Sequence, residues 1–290
     1  MTNPYLITGP ALISFSGGRT SAYLLKHIID AHGGTLPDNV HVGFCNTGKE
    51  RQETLDFVQE CGERWAARIV WLEYDPEAEH KTAIVSHNSA SRNGEPFAAV
   101  IRARSMLPNP TMRFCTIEMK IRRIAAYAKH FLGFKTWTSV VGLRADEMHR
   151  VQKQIARAAS GKDGKGLGIP CMPLADAGVT KRDIQAWWAG QPFDLRLPNV
   201  NGTTPAGNCD LCFLKGEALI RGLLRGNPEL ATWWINQEIN APGKGKLRKA
   251  EMALFRADRP SYAAMLDASQ RQGDLIDFLE GDSIDCACTD

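Results

Sequence analysis

The strongest constraint on the fold is a glycine pair that separates an apolar segment from an amphipathic one. The stretch reads LISFSGGRTSAYLLKHI over residues 12–28. Its first part predicts a buried strand at Ala11–Phe15, and its second part predicts a helix at Ser21–Ala31. A helix that begins directly after a glycine turn directs its first N–H groups and its positive dipole end toward the turn. The loop therefore predicts an anion site, and a simple tight turn is the alternative.

The alternation of strand and helix continues along the chain. Apolar runs predict strands at Val40–Cys45, Ile69–Leu72 and Thr136–Val141. Periodic patterns predict helices at Gln52–Ala66, Ile117–Phe131 and Lys181–Ala189. Because apolar strands that alternate with helices form parallel sheets covered on both faces, the predicted class is α/β with a doubly wound, mostly parallel sheet.

The chain predicts two parts and one long loop. Beyond Leu197 the strand patterns stop, and short helical segments follow, joined by NGTTPAGN, RGNPE and APGKGK. We therefore predict an α/β domain over residues 1–200 and a helical, cysteine-containing subdomain with an acidic tail over residues 201–290. The polar segment Asp75–Pro96 is predicted to be a mobile loop, and SGKDGKGLG, residues 160–168, a flexible one.

Length and hydropathy predict a globular protein of the cytoplasm. The 290 residues are 43% hydrophobic, which is enough for a full core. No run of about eighteen apolar residues occurs, and the first residues lack the charged and apolar regions of an export signal. Neither a membrane span nor export is therefore expected.

The net charge of +3 conceals an uneven distribution. Residues 273–290 contain six acidic residues and no Lys or Arg, so the rest of the chain is more basic than the total suggests. The most basic part, residues 99–135, has a single acid, Glu118, beside Arg102, Arg104, Arg113, Lys120, Arg122, Arg123, Lys129 and Lys135. Such a patch suits a polyanion, either nucleotide phosphate or a nucleic-acid backbone, and a solvated helix face is the alternative.

Eight cysteines in a chain without an export signal favour metal or redox chemistry over disulfides. Cys45, Cys61 and Cys171 lie in apolar contexts and are predicted to serve packing. The others lie in polar, turn-rich contexts and are the candidates for chemistry: Cys115, Cys209, Cys212, Cys286 and Cys288.

Six segments in a fixed order resemble one known family. They are SFSGGRTS (14–21), NTGKERQETLDFV (46–58), RFCTIEMKIRRI (113–124), VVGLRADEMHR (140–150), MPLADAGVTKRDIQAWW (172–188) and GNCDLCFLKG (207–216). The first resembles the PP-loop of the N-type ATP pyrophosphatase superfamily, and the set resembles its phosphoadenosine-phosphosulfate (PAPS) reductase family. The resemblance implies an adenine-nucleotide alpha hydrolase-like fold.

The resemblance also implies roles for individual residues. The implied nucleotide contacts are Ser14, Phe15, Ser16, Gly17, Gly18, Arg19, Thr20, Ser21, Asn46, Thr47, Gly48, Gly142, Leu143 and Arg144. Arg144, Arg19 and Lys120 are the implied catalytic residues, with Arg144 at the α-phosphate and Arg150 as a weaker candidate. Arg113 and Arg122, like Lys120, are expected to face the anionic substrate.

The position of Thr20 departs from the family pattern. ATP-using relatives often have Asp at this place, directed toward magnesium. Asp146 and Glu147 are the candidates to replace that carboxylate.

Iron–sulfur members of the family hold a [4Fe–4S] cluster with cysteines at matching positions. The implied ligands are Cys115, Cys209 and Cys212, with Cys288 or Cys286 as the fourth or with the fourth iron open. Phe114 stands where those relatives have an adjacent cysteine, so the first segment is one ligand short. Zinc, which also accepts four thiolates, and free thiols remain alternatives.

Two departures from the sulfonucleotide reductases favour ATP as the nucleotide. The loop keeps both glycines and Ser21, whereas the reductases have forms such as S-G-A-E-D, and the chain lacks their C-terminal E-C-G-L-H. We therefore expect Mg·ATP, an adenylate (AMP) intermediate and sulfur transfer from a donor protein, with a nucleic acid as one candidate acceptor.

Two other functions stay open. One is an adenosine-phosphosulfate (APS) or PAPS reductase that uses Cys286 or Cys288 and a thioredoxin-like reductant. The other is a non-catalytic nucleotide- or nucleic-acid-binding protein. The sequence does not decide the oligomeric state, and a homodimer is compatible with it.

Overall fold

A six-stranded sheet forms the centre of the molecule in the computed structural model, which describes residues 3–159, 166–241 and 253–271. The strands are β1 Ala11–Phe15, β2 Val40–Cys45, β3 Ile69–Tyr74, β4 Thr82–Val85, β5 Thr138–Val140 and β6 Ile169–Cys171. Their order is β4-β3-β2-β1-β5-β6, and only the β3–β4 pair is antiparallel. The predicted α/β class with a mostly parallel sheet is confirmed.

Helices follow most strands. They are α1 Arg19–Ala31, α2 Gln52–Arg64, α3 Glu95–Arg104, α4 over residues 114–131, α5 Met148–Ala159, α6 Pro173–Asp176, α7 Lys181–Trp188, α8 Glu217–Gly226, α9 Ala231–Asn240 and α10 Tyr262–Arg271. Helix α4 is irregular, because π-helical turns at Ile117–Ile121 and Tyr127–Phe131 interrupt its α-helical segments. Such π turns often occur at functional sites.

Several elements differ from the sequence prediction. Helix α1 begins at Arg19 rather than Ser21, and α2 ends at Arg64 because Ala66 adopts a left-handed φ of 48°. The segment Asp75–Pro96 is not a simple loop, since it contains β4, which pairs with β3. Strand β6 was missed because it contains Pro170, which a sheet tolerates at its edge.

Side chains of β1 and β2 form the centre of the core. Ile13, Val42 and Phe44 are fully buried, and α1 packs on this layer through Leu24 and Ile28. The strands are apolar along their length because helices cover both faces of a parallel sheet. This burial fixes the carboxyl ends of β1 and β2, from which the loops of the site begin.

The C-terminal helices share an apolar cluster with the α/β part. Phe97 of α3 and Met119 of α4 belong to the same cluster as Leu224, Trp234 and Tyr262. The division into residues 1–200 and 201–290 therefore stays a prediction.

Some predicted features lie outside the described residues. They are most of the glycine-rich loop, the acidic tail and its cysteines Cys286 and Cys288. Within the described ranges, no helix has the length and apolar character needed to cross a membrane.

Candidate nucleotide site

The glycine loop joins β1 to α1, as the sequence predicts. Gly17 has a φ of +80°, and a Cβ there would lie 2.7 Å from Cγ2 of Thr54 on α2. Gly18 is the N-cap of α1 and has an extended φ of −100°. Gly17 is therefore required by both backbone and packing, whereas the backbone at Gly18 accepts other residues.

Two hydroxyl groups tie the ends of the loop together. Ser16 Oγ lies 2.9 Å from Ser21 Oγ, and the Ser16 N–H donates to Ser21 Oγ at 3.2 Å. The Ser21 hydroxyl also bonds the carbonyl oxygen of Gly18 at 2.9 Å. All residues of the first turn of α1 are described by the structure, and none of them is acidic. The positive end of the helix is therefore left for an anion.

The Arg19 side chain has a structural role that the sequence did not predict. Its guanidinium forms two 2.7 Å hydrogen bonds with the carboxylate of Asp194. It also donates to the carbonyl oxygens of Leu195 and Leu197 and to Thr204. Because these contacts occupy the buried guanidinium, the predicted contribution of Arg19 to phosphate binding is restricted to its backbone N–H.

A second segment, after β5, faces the glycine loop. Arg144 donates to Thr20 Oγ1 at 3.3 Å and to Asp146 Oδ1 at 2.9 Å. Glu147 accepts from the backbone N–H of Arg144 at 3.0 Å and from the side chain of Arg150. The structure therefore brings Arg144, Arg150 and both candidate carboxylates to the first turn of α1.

A polar cleft and an apolar cavity meet at the loop. The cleft, of about 530 Å³, lies between residues 16–20, 144–150 and 202–208, and Lys181 and Lys215 also line it. The cavity, of about 140 Å³, lies between the sheet and α4 and is lined by Phe15, Gly43, Ile124 and Val141. Ser16 lines both spaces. A ligand with a flat apolar part and an anionic tail fits this arrangement.

The implied contacts after β2 lie elsewhere. Asn46 donates to Glu73 Oε1 at 2.6 Å, and Thr47 Oγ1 donates to Glu50 Oε2 at 2.7 Å. Gly48 has a φ of +76° and packs against Gly94. Among the described residues that line the cleft or the cavity, none is Asn46, Thr47 or Gly48. Their contact with adenosine stays a prediction that this geometry does not support.

The remaining implied residues divide into two groups. Ser14 and Lys120 line the apolar cavity, and Lys120 Nζ lies 3.9 Å from Glu50 Oε1. Ser21, Gly142 and Leu143 are buried, and Leu143 packs beside Val151 and Met172.

The two arginines expected beside Lys120 differ in exposure. Arg122 is more than half exposed and pairs with Glu118, and Arg113 is half-buried. Neither belongs to the lining of the cleft or the cavity within the described residues.

The cysteines predicted as metal ligands are buried in one apolar cluster. Cys115, Cys209 and Cys212 all belong to it, and Cys209 Sγ lies 3.4 Å from Thr47 Oγ1. Among the residues that the structure describes, no three His, Cys, Asp or Glu side chains are grouped to hold a metal ion. These residues therefore do not by themselves fit a [4Fe–4S] cluster or a zinc ion, and Cys288 lies outside the described residues.

The cysteines predicted for packing are in apolar surroundings. Cys61, on the inner face of α2, is fully buried, and burial raises the pKa of its thiol far above the usual range. Burial also raises the pKa of Cys171 to about 11. Cys45 is buried, lines the apolar cavity and donates to the Lys120 carbonyl oxygen at 3.7 Å.

Sequence reasoning missed several residues around the site. Asp194 anchors Arg19, and Gln154 and Arg157 of α5 line the apolar cavity. Glu50 is buried, and its Oε1 has no hydrogen-bond partner within the described part of the chain. The i, i+3 spacing of Gln154 and Arg157 was the available signal for one helix face. Asp194 gave no signal, because its partner is 175 positions away.

Comparisons with known proteins agree with the sequence resemblance. Residues 10–192 match the sequence profile of the phosphoadenosine phosphosulfate reductase domain, which ends before the Cys209–Cys212 segment. The uncharacterized nin region protein ORF290 of Escherichia phage lambda is 30% identical over 217 residues, covering 72% of this chain and 67% of that protein.

A solved structure also aligns with the chain. It is the U34-tRNA thiolase NcsA from Methanococcus maripaludis with its [4Fe-4S] cluster, at 13% identity and a TM-score of 0.42. The alignment covers 98% of this chain and 80% of that chain. A likeness this distant carries no argument about this protein.

Proposed function

Because the chain belongs to the phosphoadenosine phosphosulfate reductase domain family, we propose that it is an enzyme that binds Mg·ATP and forms an adenylate intermediate for sulfur transfer. The observation that carries the proposal is the position of Ser16 between the apolar cavity and the polar cleft. An adenine ring suits the first space, and a triphosphate suits the second.

The cleft favours ATP over a sulfonucleotide. The cleft, of about 530 Å³, extends beyond the glycine loop to Arg150, Lys181 and Lys215. It therefore has room and cationic side chains for phosphates beyond the α-phosphate. The loop hydroxyls and the N-terminus of α1 suit phosphate oxygens. Asp146 and Glu147 lie at the same cleft and suit the magnesium ion that accompanies ATP.

The reaction proposed at this site is a substitution at the α-phosphorus. An oxygen of the acceptor attacks that phosphorus, the bond to the bridging oxygen breaks, and pyrophosphate leaves. Sulfide then attacks the carbon that bears the adenylated oxygen and displaces AMP. Where a donor protein supplies a persulfide, its terminal sulfur attacks that carbon and displaces AMP, and a second thiol of the donor then frees the transferred sulfur by forming a disulfide. Arg144 and the backbone amides of the glycine loop stabilise the negative charge that develops on the phosphate oxygens. Lys120 is a further candidate for this role.

The partners follow from this chemistry. We propose a nucleic acid as the acceptor because the most basic part of the sequence includes α4, which forms one wall of the apolar cavity. A sulfur donor is required, either sulfide or a donor protein. The expected location is the cytoplasm, and a homodimer is compatible with the proposal.

The [4Fe–4S] cluster forms no part of the proposed steps. The described cysteines do not make a metal site by themselves, and the fourth iron would take Cys286 or Cys288 as its ligand or stay open. Iron and zinc analysis of protein purified without oxygen tests the cluster separately. About four irons per chain, lost in Cys209→Ser and kept in Cys61→Ser, would support it.

Release of pyrophosphate from ATP tests the proposed reaction. With a nucleic-acid acceptor and sulfide present, the wild-type protein is expected to release pyrophosphate and AMP in equal amounts. Gly18→Val should abolish both, because its side chain occupies the phosphate space. Release of inorganic phosphate and ADP instead would contradict an attack at the α-phosphorus.

A further inference from the structure

The outer side of helix α4 presents two arginines held by one carboxylate. Arg104 of α3 and Arg122 of α4 both donate to Oε1 of Glu118, the latter at 2.8 Å. The two arginine side chains are 44% and 55% exposed, whereas that of Glu118 is 10% exposed. Because both guanidinium groups bond the same oxygen atom, they must lie side by side at the surface.

The charge of this cluster suits an anion. Burial alone would raise the pKa of Glu118, but the bonds from Arg104 and Arg122 outweigh it and lower the pKa. Glu118 is therefore ionised at neutral pH, and the three side chains carry one net positive charge. An arginine has five N–H donors, so each guanidinium keeps donors beyond those given to Glu118. Paired guanidinium groups of this kind bind phosphate strongly.

The position of the cluster connects it to the nucleotide site. Thr116, Lys120 and Ile124 line the apolar cavity from one side of α4. Glu118 and Arg122 lie on the same helix, but they belong to the outer side. Helix α4 thus has the proposed nucleotide cavity on its inner side and the Glu118–Arg122 pair, joined by Arg104 of α3, on its outer side.

Exposed apolar side chains lie beside the arginines in the sequence. Met112 precedes α4 and is 47% exposed, and Ile117, next to Glu118, is 44% exposed. The guanidinium planes of Arg104 and Arg122 can also stack on an unpaired base, whereas the bases of a duplex are covered by stacking and pairing.

We infer that Arg104 and Arg122, organised by Glu118, form a binding surface for the phosphodiester backbone of a single-stranded nucleic acid. The inference rests on the proposed function for its purpose, since it identifies where the acceptor strand is held. Binding to this surface does not require ATP, so it is tested apart from the reaction.

The test is fluorescence anisotropy with a labelled single-stranded RNA, the same sequence as DNA, and a duplex, at 50 and 200 mM salt. The variant is Arg104→Gln/Glu118→Gln/Arg122→Gln, which leaves no unpaired buried carboxylate and removes one net positive charge. The matched control is Arg271→Gln, which also removes one positive charge from an arginine paired with a carboxylate, Asp267, on α10.

The triple variant is expected to bind the strand at least tenfold more weakly than the wild type. The slope of log affinity against log salt concentration should be shallower by about 0.7, because the variant loses one net positive charge and each neutralised phosphate of a single strand contributes ~0.7. Arg271→Gln should stay within twofold of the wild type. Thermal unfolding and calorimetric ATP binding should be unchanged in both variants.

Binding of either single-stranded RNA or single-stranded DNA would support the proposed surface. Tighter binding of RNA points to the ribose 2′-hydroxyl, and equal binding of DNA points to the phosphodiester alone. Wild-type affinity and salt slope in the folded triple variant would overturn the inference, as would a preference for duplex. Strand binding without pyrophosphate release from ATP would instead reject the proposed reaction and leave the surface intact.

Discussion

Arg144 donates a hydrogen bond from Nη1 to Oγ1 of Thr20 across 3.3 Å, which joins two segments 124 residues apart in the sequence. Thr20 lies in the first turn of α1, and Arg144 follows β5, the strand that pairs with β1. The guanidinium is thereby held over the positive end of the helix. Two positive groups that converge on one point favour the binding of an anion there.

Arg144→Ala is expected to lower the rate of pyrophosphate release from ATP about 100-fold, since it removes one group that stabilises the developing charge. Arg144→Lys should recover only part of that loss, because Lys does not reproduce the guanidinium geometry. Steady-state kinetics checks both variants. Arg182→Ala, an exposed arginine on α7, is the control and should keep the wild-type rate. Equal rates in Arg144→Ala and the control would exclude Arg144 from the reaction.

The two glycines of the loop should respond differently to substitution. Gly18→Val should abolish ATP binding and leave the melting temperature nearly unchanged, because the extended φ of Gly18 accepts a side chain. Gly17→Ala should lower the free energy of unfolding by about 2 kcal/mol or more, since it combines a left-handed φ with a contact against Thr54. Calorimetric titration and thermal unfolding separate the two effects. Wild-type ATP affinity in Gly18→Val would show that the glycine loop is a tight turn with no role in ATP binding.

Arg19→Met should mainly affect stability. Breaking a buried ion pair costs about 3–5 kcal/mol, and the partial exposure of Asp194 reduces the expected loss to roughly 2 kcal/mol. Lys26→Met, on the same helix, removes a surface pair with Asp30 and should cost less than ~0.5 kcal/mol. Urea unfolding measures both. If Arg19→Met kept wild-type stability but did not bind ATP, the Arg19 side chain would have to contact phosphate, as the sequence predicts.

The packing cysteines should resist alkylation at neutral pH. Burial raises the pKa of Cys171 to about 11 and raises that of Cys61 further, so both thiols stay protonated and unreactive at pH 8. Labelling by iodoacetamide should appear at Cys171 only as the pH approaches 11. Mass spectrometry of native and urea-unfolded protein checks this. Labelling of native Cys171 at pH 8 as fast as in the unfolded chain would contradict its burial.

Local patterns predicted the parts of the fold that depend on local physics. The apolar strands β1 and β2 and the glycine loop between β1 and α1 were predicted because burial and turn chemistry leave direct signals in neighbouring residues. Strand β6 left no such signal, because Pro170 argues against a strand except at an edge.

Contacts between distant residues were not predictable in the same way. Arg19 was assigned to phosphate because it follows the glycines, yet Asp194 and the carbonyl oxygen atoms of Leu195 and Leu197 determine where its side chain lies. Likewise, Thr47 contacts Glu50 and Cys209 instead of lining either space at the loop. Only the folded chain brings these partners together.

The most direct test is an analysis of nucleotide products from ATP, APS and PAPS, with either a thioredoxin reductant or a single-stranded nucleic acid together with sulfide. We predict that ATP is converted to AMP and pyrophosphate when the nucleic acid and sulfide are present, that the conversion requires Gly18 and Arg144, and that APS and PAPS are not consumed. Release of sulfite together with AMP or adenosine 3′,5′-bisphosphate, in a thioredoxin-dependent reaction without turnover of ATP, would contradict the account and assign the chain to the sulfonucleotide reductases.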